Sequence, residues 1–260
     1  MSVLTCSKLD AGYGGVSVVR GFDVDLQPGE MVALLGANGA GKSTVLMTLA
    51  GLLIPIAGHI ELFGQTLSTR KPYRLPGRGL SFVPDDRALF TTLTVKENLS
   101  IAAGKTGKNV AEVLAYFPAL QKRLDLAAGM LSGGEQQMLA LARALVVSPK
   151  VLLVDELSLG LAPVIAQELL SIIRRLADNT GTAVLFVEQH VQMALNVADR
   201  GLVMRHGEVE LAGTARELLL DRQSLESSYL GSGKAERHGH AVAANGASGA
   251  SANNPGSQPT

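Results

Sequence analysis

The chain has 260 residues, with 23 lysines and arginines against 23 aspartates and glutamates, so its formal net charge is zero. This balance, together with only 4% aromatic residues and no tryptophan, argues against a nucleic-acid partner, because duplex binding usually needs a basic excess and strand binding needs stacking platforms. The single cysteine, Cys6, excludes an internal disulfide.

No stretch of the sequence reaches the ~18 consecutive apolar residues that a membrane-spanning helix needs. The N-terminal residues also lack the basic and apolar regions of a secretory signal. We therefore expect a cytoplasmic chain with no direct membrane insertion, which would meet the membrane through partner proteins.

The chain begins with short apolar strands around one helix. We predict strands at 3–10, 16–26, 31–35, 59–63 and 80–83, and a helix at 43–53. Helical periodicity then takes over, which predicts helices at 95–103, 110–116, 121–126 and 134–147. The first pattern resumes with strands at 151–154 and 183–187, helices at 164–178 and 191–198, and a hairpin of 201–205 and 208–212.

Strands that alternate with helices predict an α/β fold, in which helices flank a mostly parallel sheet with an antiparallel β edge. We expect residues 1–84 and 150–230 to form this core and residues 85–149 to form an inserted helical subdomain. Residues 231–260 contain hardly any large apolar side chain, so we expect a disordered tail.

The segment 36–43 fits the pattern G-x-x-x-x-G-K-[ST] between a predicted buried strand and a predicted helix. In such a loop, glycines let backbone N–H groups turn towards phosphate oxygens, and the helix start adds its dipole. Lysine supplies a charge to the β- and γ-phosphates, and the serine hydroxyl binds Mg²⁺. The sequence therefore predicts a P-loop NTPase core whose ATP-binding residues are Gly36, Ala37, Asn38, Gly39, Ala40, Gly41, Lys42, Ser43 and Thr44.

Two carboxylates, Asp155 and Glu156, follow the strand predicted at 151–154. Ligands of α/β sheets bind at the C-terminal ends of the strands, so both acids point to the nucleotide site. Asp155 is the candidate ligand of Mg²⁺, directly or through water, and Glu156 is the candidate general base that polarises the attacking water. We assign catalytic roles to Lys42 and Glu156.

A third motif, LSGG, lies at 131–134 just ahead of the acidic strand and opens a predicted helix. Ser132, Gly133 and Gly134 offer a second helix start for phosphate. With the two motifs already described, this sequence resembles the ATP-binding cassette (ABC) proteins over about residues 3–230. The resemblance implies that the LSGG helix caps the γ-phosphate held by a second ATP-binding subunit. It also implies that Tyr13 stacks on adenine.

The stretches GANGAGKST, LSGGEQQML, SLGLAP and VEQ resemble most closely the smaller ATP-binding subunit of branched-chain amino-acid importers. That likeness implies transmembrane permease subunits as partners and a place on the inner face of the cell membrane. Related urea and amide importers share much of the pattern, so they stay open as alternatives. Homodimer and heterodimer are both open as well.

Three positions depart from the general family pattern. Asp85 stands where the family's lid-loop glutamine binds Mg²⁺ and water, so the resemblance makes it a candidate Mg²⁺ ligand; glutamate at this place is familiar in the branched-chain group. Gln189 stands where the general family has its switch histidine, so the resemblance gives it a catalytic role; glutamine can hydrogen-bond a γ-phosphate but cannot carry a positive charge. His190, one position on, is the alternative and would need a shift of the loop. Leu157 replaces the usual proline after Asp-Glu.

Two other classes of protein compete with a transport ATPase. A non-transport ABC ATPase acting on DNA or ribosomes typically carries two cassettes, long coiled-coil insertions or basic arms, and this chain has one cassette and no net charge. A P-loop kinase or GTPase would have no use for the LSGG helix. Exposed residues of the lid loop (84–92), such as Leu89 and Phe90, could either dock permeases or pack onto the helical subdomain.

Overall fold

The computed structural model describes residues 1–67, 71–104, 109–221 and 225. The tail expected at 231–260 lies outside the described residues, so its disorder stays a prediction.

The described chain contains ten strands and eight α-helices. The strands are β1 (Leu4–Tyr13), β2 (Val16–Leu26), β3 (Met31–Gly36), β4 (Ala57–Leu62), β5 (Gln65–Thr66), β6 (Leu80–Val83), β7 (Val151–Val154), β8 (Ala183–Val187), β9 (Arg200–Arg205) and β10 (Glu208–Thr214). The helices are α1 (Lys42–Leu49), α2 (Val95–Ala103), α3 (Val110–Tyr116), α4 (Pro118–Gln121), α5 (Gly133–Leu145), α6 (Pro163–Thr180), α7 (Val191–Leu195) and α8 (Ala215–Leu220).

The larger sheet has six strands in the order β10-β9-β3-β8-β7-β6. All of its neighbouring pairs are parallel except β9 and β10, which form an antiparallel hairpin. Every residue of β3, β7 and β8 is buried, as expected for parallel strands that are covered on both faces. The ends of β3 and β7 therefore bring the residues that follow them to one edge of the sheet.

A second, antiparallel sheet has the order β2-β1-β4-β5 and supplies the predicted antiparallel part of the fold. Helix α1 packs between the two sheets, and Val45, Leu46 and Leu49 share one hydrophobic cluster with side chains of both. Burying three such side chains contributes on the order of 5 kcal/mol of hydrophobic free energy. This packing fixes the position of α1, which begins at Lys42, and of the loop that precedes it.

Helices α2 to α5 lie together between β6 and β7 in the chain, and they pack with α6 into a second hydrophobic cluster. The helix predicted at 121–126 is wrong: α4 begins three residues earlier, at Pro118, which is pre-organised for a first helical position, and residues 122–125 form turns. None of the helices in the described ranges combines the length and the hydropathy that are needed to cross a bilayer.

Candidate functional site

The loop between β3 and α1 has the backbone of a phosphate loop. Gly36, Gly39 and Gly41 all have positive φ angles, of 143°, 81° and 102°. A Cβ on Gly36 would lie 2.3 Å from the backbone oxygen of Met204, and one on Gly41 would lie 2.9 Å from Val19. Glycine is therefore required at both positions, by conformation and by space.

Lys42, the first residue of α1, is buried and closes this loop from within. Its Nζ donates hydrogen bonds to the backbone oxygens of Gly36 at 2.8 Å and Ala37 at 2.9 Å. Burial lowers the pKa of the ammonium group, while the carboxylates of Glu156 and Asp155 raise it. The lysine is thus held at the loop's centre with two nearby acids as its counter-charges.

Asp155 follows β7 directly and is only 2% exposed. Burial raises the pKa of its carboxyl group to about 6, opposed by a hydrogen bond from the Ser43 side chain and supported by the negative charges of Asp85 and Glu156. Its Oδ1 atom has no hydrogen-bond partner. A buried carboxylate with one free oxygen is costly unless a ligand completes it.

Glu156 has a φ angle of 43°, in the left-handed region that non-glycine residues rarely adopt. Its Oε1 accepts a hydrogen bond of 3.1 Å from Nε2 of Gln189, which follows β8. His190 occupies the N-cap position of α7, makes no side-chain capping hydrogen bond there and is exposed. The contact to Glu156 is therefore made by the glutamine and not by its histidine neighbour.

Glu188, between β8 and Gln189, was missed in the sequence. It is fully buried, and its Oε2 accepts hydrogen bonds from the Ser158 hydroxyl at 2.6 Å and from the Gln189 backbone N–H at 3.2 Å. Burial raises the pKa of this carboxyl group. An acid that ends an apolar strand beside a predicted switch residue was the signal that could have found it.

A cleft of about 200 Å³ lies over the loop. It is lined by Val18, Asn38, Gly39, Gly41, Lys42, Ser43, Thr44 and Glu156. Tyr13, at the end of β1, is 50% exposed, and its hydroxyl lies 3.8 Å from the sulfur of Met47 on α1. A cleft of about 520 Å³ between α3 and α6 contains none of the predicted site residues.

The LSGG residues start α5, where Ser132 is the N-cap. The Ser132 side chain accepts a hydrogen bond from the Glu135 backbone, and the Glu135 side chain accepts one from the Ser132 backbone. This capping box makes α5 begin at Gly133. Ser132, Gly133 and Gly134 do not line the 200 Å³ cleft.

The sequence family model described as ABC transporter matches residues 19–158. The chain is 40% identical to the high-affinity branched-chain amino acid transport ATP-binding protein BraG of Pseudomonas aeruginosa, over 88% of this chain and 100% of BraG. This chain belongs to the ABC transporter family.

Two further similarities agree with the family. The chain is 36% identical to the probable branched-chain amino acid transport ATP-binding protein LivF of Archaeoglobus fulgidus, over 88% of this chain and 99% of LivF. The solved structure of cbiO1 from Clostridium perfringens, part of the ABC transporter complex cbiONQ, superposes with a TM-score of 0.77 at 25% identity, covering 87% of this chain and 94% of cbiO1. Other relatives carry the names of sulfate/thiosulfate and spermidine/putrescine import proteins.

Membership confirms the predicted P-loop fold and makes the chain an ATP-binding subunit of an ABC transporter. ABC ATPases bind ATP, generally with Mg²⁺, and hydrolyse it to power transport. The solved bacterial ABC transporter cassette MJ0796, which superposes with a TM-score of 0.74 at 23% identity, is dimeric.

Mg²⁺ is usually held in nucleotide sites by one or two protein oxygens together with phosphates. Over the described ranges, no group of three or more histidines, cysteines, aspartates or glutamates is placed to hold a metal alone. The hydroxyl of Ser43 beside Asp155, whose Oδ1 is free, fits the smaller protein contribution that Mg²⁺ needs. The residues present therefore fit this ion.

Proposed function

We propose that the chain binds Mg-ATP between the 36–44 loop and the Asp155–Glu156 pair and hydrolyses it there. The observation that carries this proposal is the approach of the Ser43 side chain to the Asp155 carboxyl group, whose pKa it lowers, because it brings the phosphate loop and the acidic strand end to one point. Bound Mg²⁺ would offset the charge of the β- and γ-phosphates. Ser43 and Asp155 are its proposed ligands, and Asp85 is a further one from the lid loop.

In this site, Lys42 releases the two loop oxygens that it now contacts and turns its charge to the phosphates. Glu156 accepts the proton of the attacking water as general base. Gln189 fixes the Glu156 carboxylate through the 3.1 Å hydrogen bond. Tyr13 offers its exposed ring to the adenine.

The second half of each site comes from another ATP-binding subunit. We propose that Ser132, Gly133 and Gly134 bind the γ-phosphate held by that subunit, so that ATP closes the dimer and hydrolysis reopens it. Their place at the N-terminal start of α5, where backbone N–H groups can bind phosphate, supports this arrangement. The partner subunit is a second copy or a sister ATPase.

We propose that the transporter is an importer of branched-chain amino acids. The 40% identity over the whole length of BraG supports this substrate class. Urea, amides, sulfate and polyamines are the competing cargoes, and they require different binding proteins and permeases. The chain would then lie on the cytoplasmic face of the cell membrane, held there by its permeases.

The permeases would dock at the lid loop (84–92), next to a groove of about 210 Å³ between β6 and α5. Phe90 is 46% exposed there, and the Arg143 guanidinium lies 4.9 Å from its ring centre. Leu89 instead packs against the hydrophobic cluster of the helices. We therefore propose Phe90 as the docking residue, on a helical subdomain of residues 85–149 attached to a core of residues 1–84 and 150–230.

The test is co-purification of the tagged chain from native membranes, with its partners identified by mass spectrometry. We expect two multi-helix membrane proteins, a second ATPase and an amino-acid-binding protein. Recovery of a sulfate- or polyamine-binding protein instead of the amino-acid-binding protein would overturn the proposed substrate class. Recovery of the chain with ribosomes or DNA, and without membrane proteins, would overturn the transport function.

A further inference from the structure

Arg87 is a lid-loop residue that lies outside the assigned nucleotide site. It has a φ angle of 66°, in the left-handed region, and its side chain is only partly exposed. Arg87 Nε donates to Oε1 of Gln137 at 2.9 Å, and a terminal nitrogen donates to Oε1 of Gln136 at 3.1 Å. The other terminal nitrogen lies 3.4 Å from the backbone oxygen of Leu159, to which it also donates.

The three acceptors belong to two segments, α5 and the loop that follows β7. Gln136 and Gln137 lie in the first two turns of α5, two and three residues after the last LSGG residue. Leu159 lies in the loop that follows Asp155 and Glu156. Arg87 itself is two residues from Asp85, whose charge reaches Asp155. One guanidinium group thus connects the lid loop, the signature helix α5 that begins at the LSGG motif, and the loop after the candidate base Glu156.

The surroundings of the guanidinium reinforce this connection. Gln137 is buried at 2% exposure, and Gln136 donates onward to the backbone oxygen of Leu131, the first LSGG residue. One terminal nitrogen of Arg87 lies 3.9 Å from the position that a Cβ on Gly133 would take. The planar fork of arginine can serve three acceptors in fixed directions, which a lysine cannot.

We infer that Arg87 is a positioning residue that transmits the state of the nucleotide site to the LSGG helix. The inference rests on the proposed function, since it requires ATP at the 36–44 loop and a phosphate-binding role for α5. A shift of the lid loop on Mg-ATP binding would carry Arg87 with it, and the glutamines would pull the start of α5. Arg87 also lines the 210 Å³ groove, so a docked permease would act on the same side chain.

The matched control is Arg123, which also contacts α5. Its Nε lies 3.4 Å from Oε1 of Glu135, but its side chain is 54% exposed and it makes this contact from the turns that follow α4. Such an exposed ion pair contributes little to the free energy of folding. Arg123→Ala therefore removes a positive charge beside the signature helix without cutting the link to the lid loop.

The experiment measures hydrogen exchange at residues 132–136 with and without Mg-ATP, in full-length chains carrying Glu156→Gln to prevent turnover. We expect the ATP-dependent change in exchange to fall at least about fivefold with Arg87→Ala and to stay within about twofold with Arg123→Ala. ATP affinity should stay within about twofold in both variants, because neither residue touches the cleft. Arg87→Lys should resemble Arg87→Ala, since it keeps the charge and loses the fork.

The second readout is steady-state ATPase kinetics, measured on chains that retain Glu156 and can therefore turn over ATP. We expect Arg87→Ala to lower kcat about tenfold with little change in KM, the mark of an interaction used after binding. Equal exchange responses in Arg87→Ala and Arg123→Ala would overturn the inference. If Arg87→Ala did not fold, Arg87→Lys and Gln136→Ala would decide by the same comparison. Failure of the unmodified chain to bind ATP would instead overturn the proposed function.

Discussion

The side-chain amide of Gln189 donates a 3.1 Å hydrogen bond to the carboxylate of Glu156, joining the end of β8 to the end of β7. At this position the general family has its switch histidine and this chain has glutamine. The Gln189 side chain contacts Glu156, the candidate general base. Because the amide is a neutral donor, it orients the carboxylate at every pH at which the protein is folded.

Glu156→Gln should bind Mg-ATP with near-normal affinity and hydrolyse it at least about 100-fold more slowly, because the amide cannot accept the proton of water. The variant should also collect as a dimer in the presence of ATP. Single-turnover hydrolysis and size-exclusion chromatography would measure both effects. Lys42→Ala is the control that should lose ATP binding itself. A normal rate in Glu156→Gln would show that another group is the base.

Gln189→Glu should lower turnover more than Gln189→Ala does. The first change places a second carboxylate about 3 Å from that of Glu156, and like charges at this distance push each other apart. The second change only removes a donor. We expect losses on the order of 100-fold and 10-fold in kcat, respectively. Steady-state ATPase assays would rank the two variants, and equal rates would mean that Gln189 does not orient Glu156 during catalysis.

Asp155→Asn should stabilise the nucleotide-free protein at neutral pH. The folded-state pKa of Asp155 is about 6, above its ordinary value of 3.8, so the ionised group is less favourable in the folded chain than in the unfolded one. This cost is absent well below pH 4, grows as the pH rises and is complete above about 6. We expect a gain of roughly 1–3 kcal/mol at about pH 7.5.

Thermal melts without nucleotide and Mg²⁺ would measure this effect, as a rise in Tm for Asp155→Asn at about pH 7.5 that shrinks towards about pH 4.5. Asp86→Asn, at an exposed lid-loop carboxylate, is the matched control and should show no such trend. A Tm difference that does not change with pH would contradict the burial cost of Asp155.

Tyr13→Ala should weaken ATP binding by about five- to tenfold, since an aromatic contact of this kind is worth on the order of 1 kcal/mol. Tyr13→Phe keeps the ring and loses only the 3.8 Å contact to Met47, so it should bind as the unmodified chain does. Calorimetric titration with ATP, and with inorganic triphosphate as a ligand without adenine, would separate base from phosphate binding. Equal losses for both ligands would contradict adenine stacking.

The sequence predicted the elements whose signals are local. Apolar runs located β3 and β7, and the periodicity of residues 95–103 gave α2 with its observed bounds. Helix α8 was missed although Thr214 and Glu217 form a capping box at its start, a pattern that is visible in the sequence. The two-residue strand β5 was missed because it is too short to show any alternation.

The same division applies to the site. Lys42, Asp155 and Glu156 belong to motifs that follow predicted strands, so the sequence was enough to predict that they lie at one edge of the sheet. The bond of Ser158 to Glu188 joins positions 30 residues apart, and that of Arg87 to Gln137 joins positions 50 apart. No local pattern announces such contacts, because they depend on how the strands and helices pack.

The capping box at the start of α5 places the chain's own Glu135 carboxylate on the helix start that we propose binds phosphate. In the free chain, the Ser132 hydroxyl and backbone N–H both bond the Glu135 carboxylate. An incoming γ-phosphate would meet an anion already seated on the donors that it needs. Dimer closure would then exchange the Glu135 carboxylate for the γ-phosphate. The stability of the capping box would set how much binding free energy the ATP contact must supply.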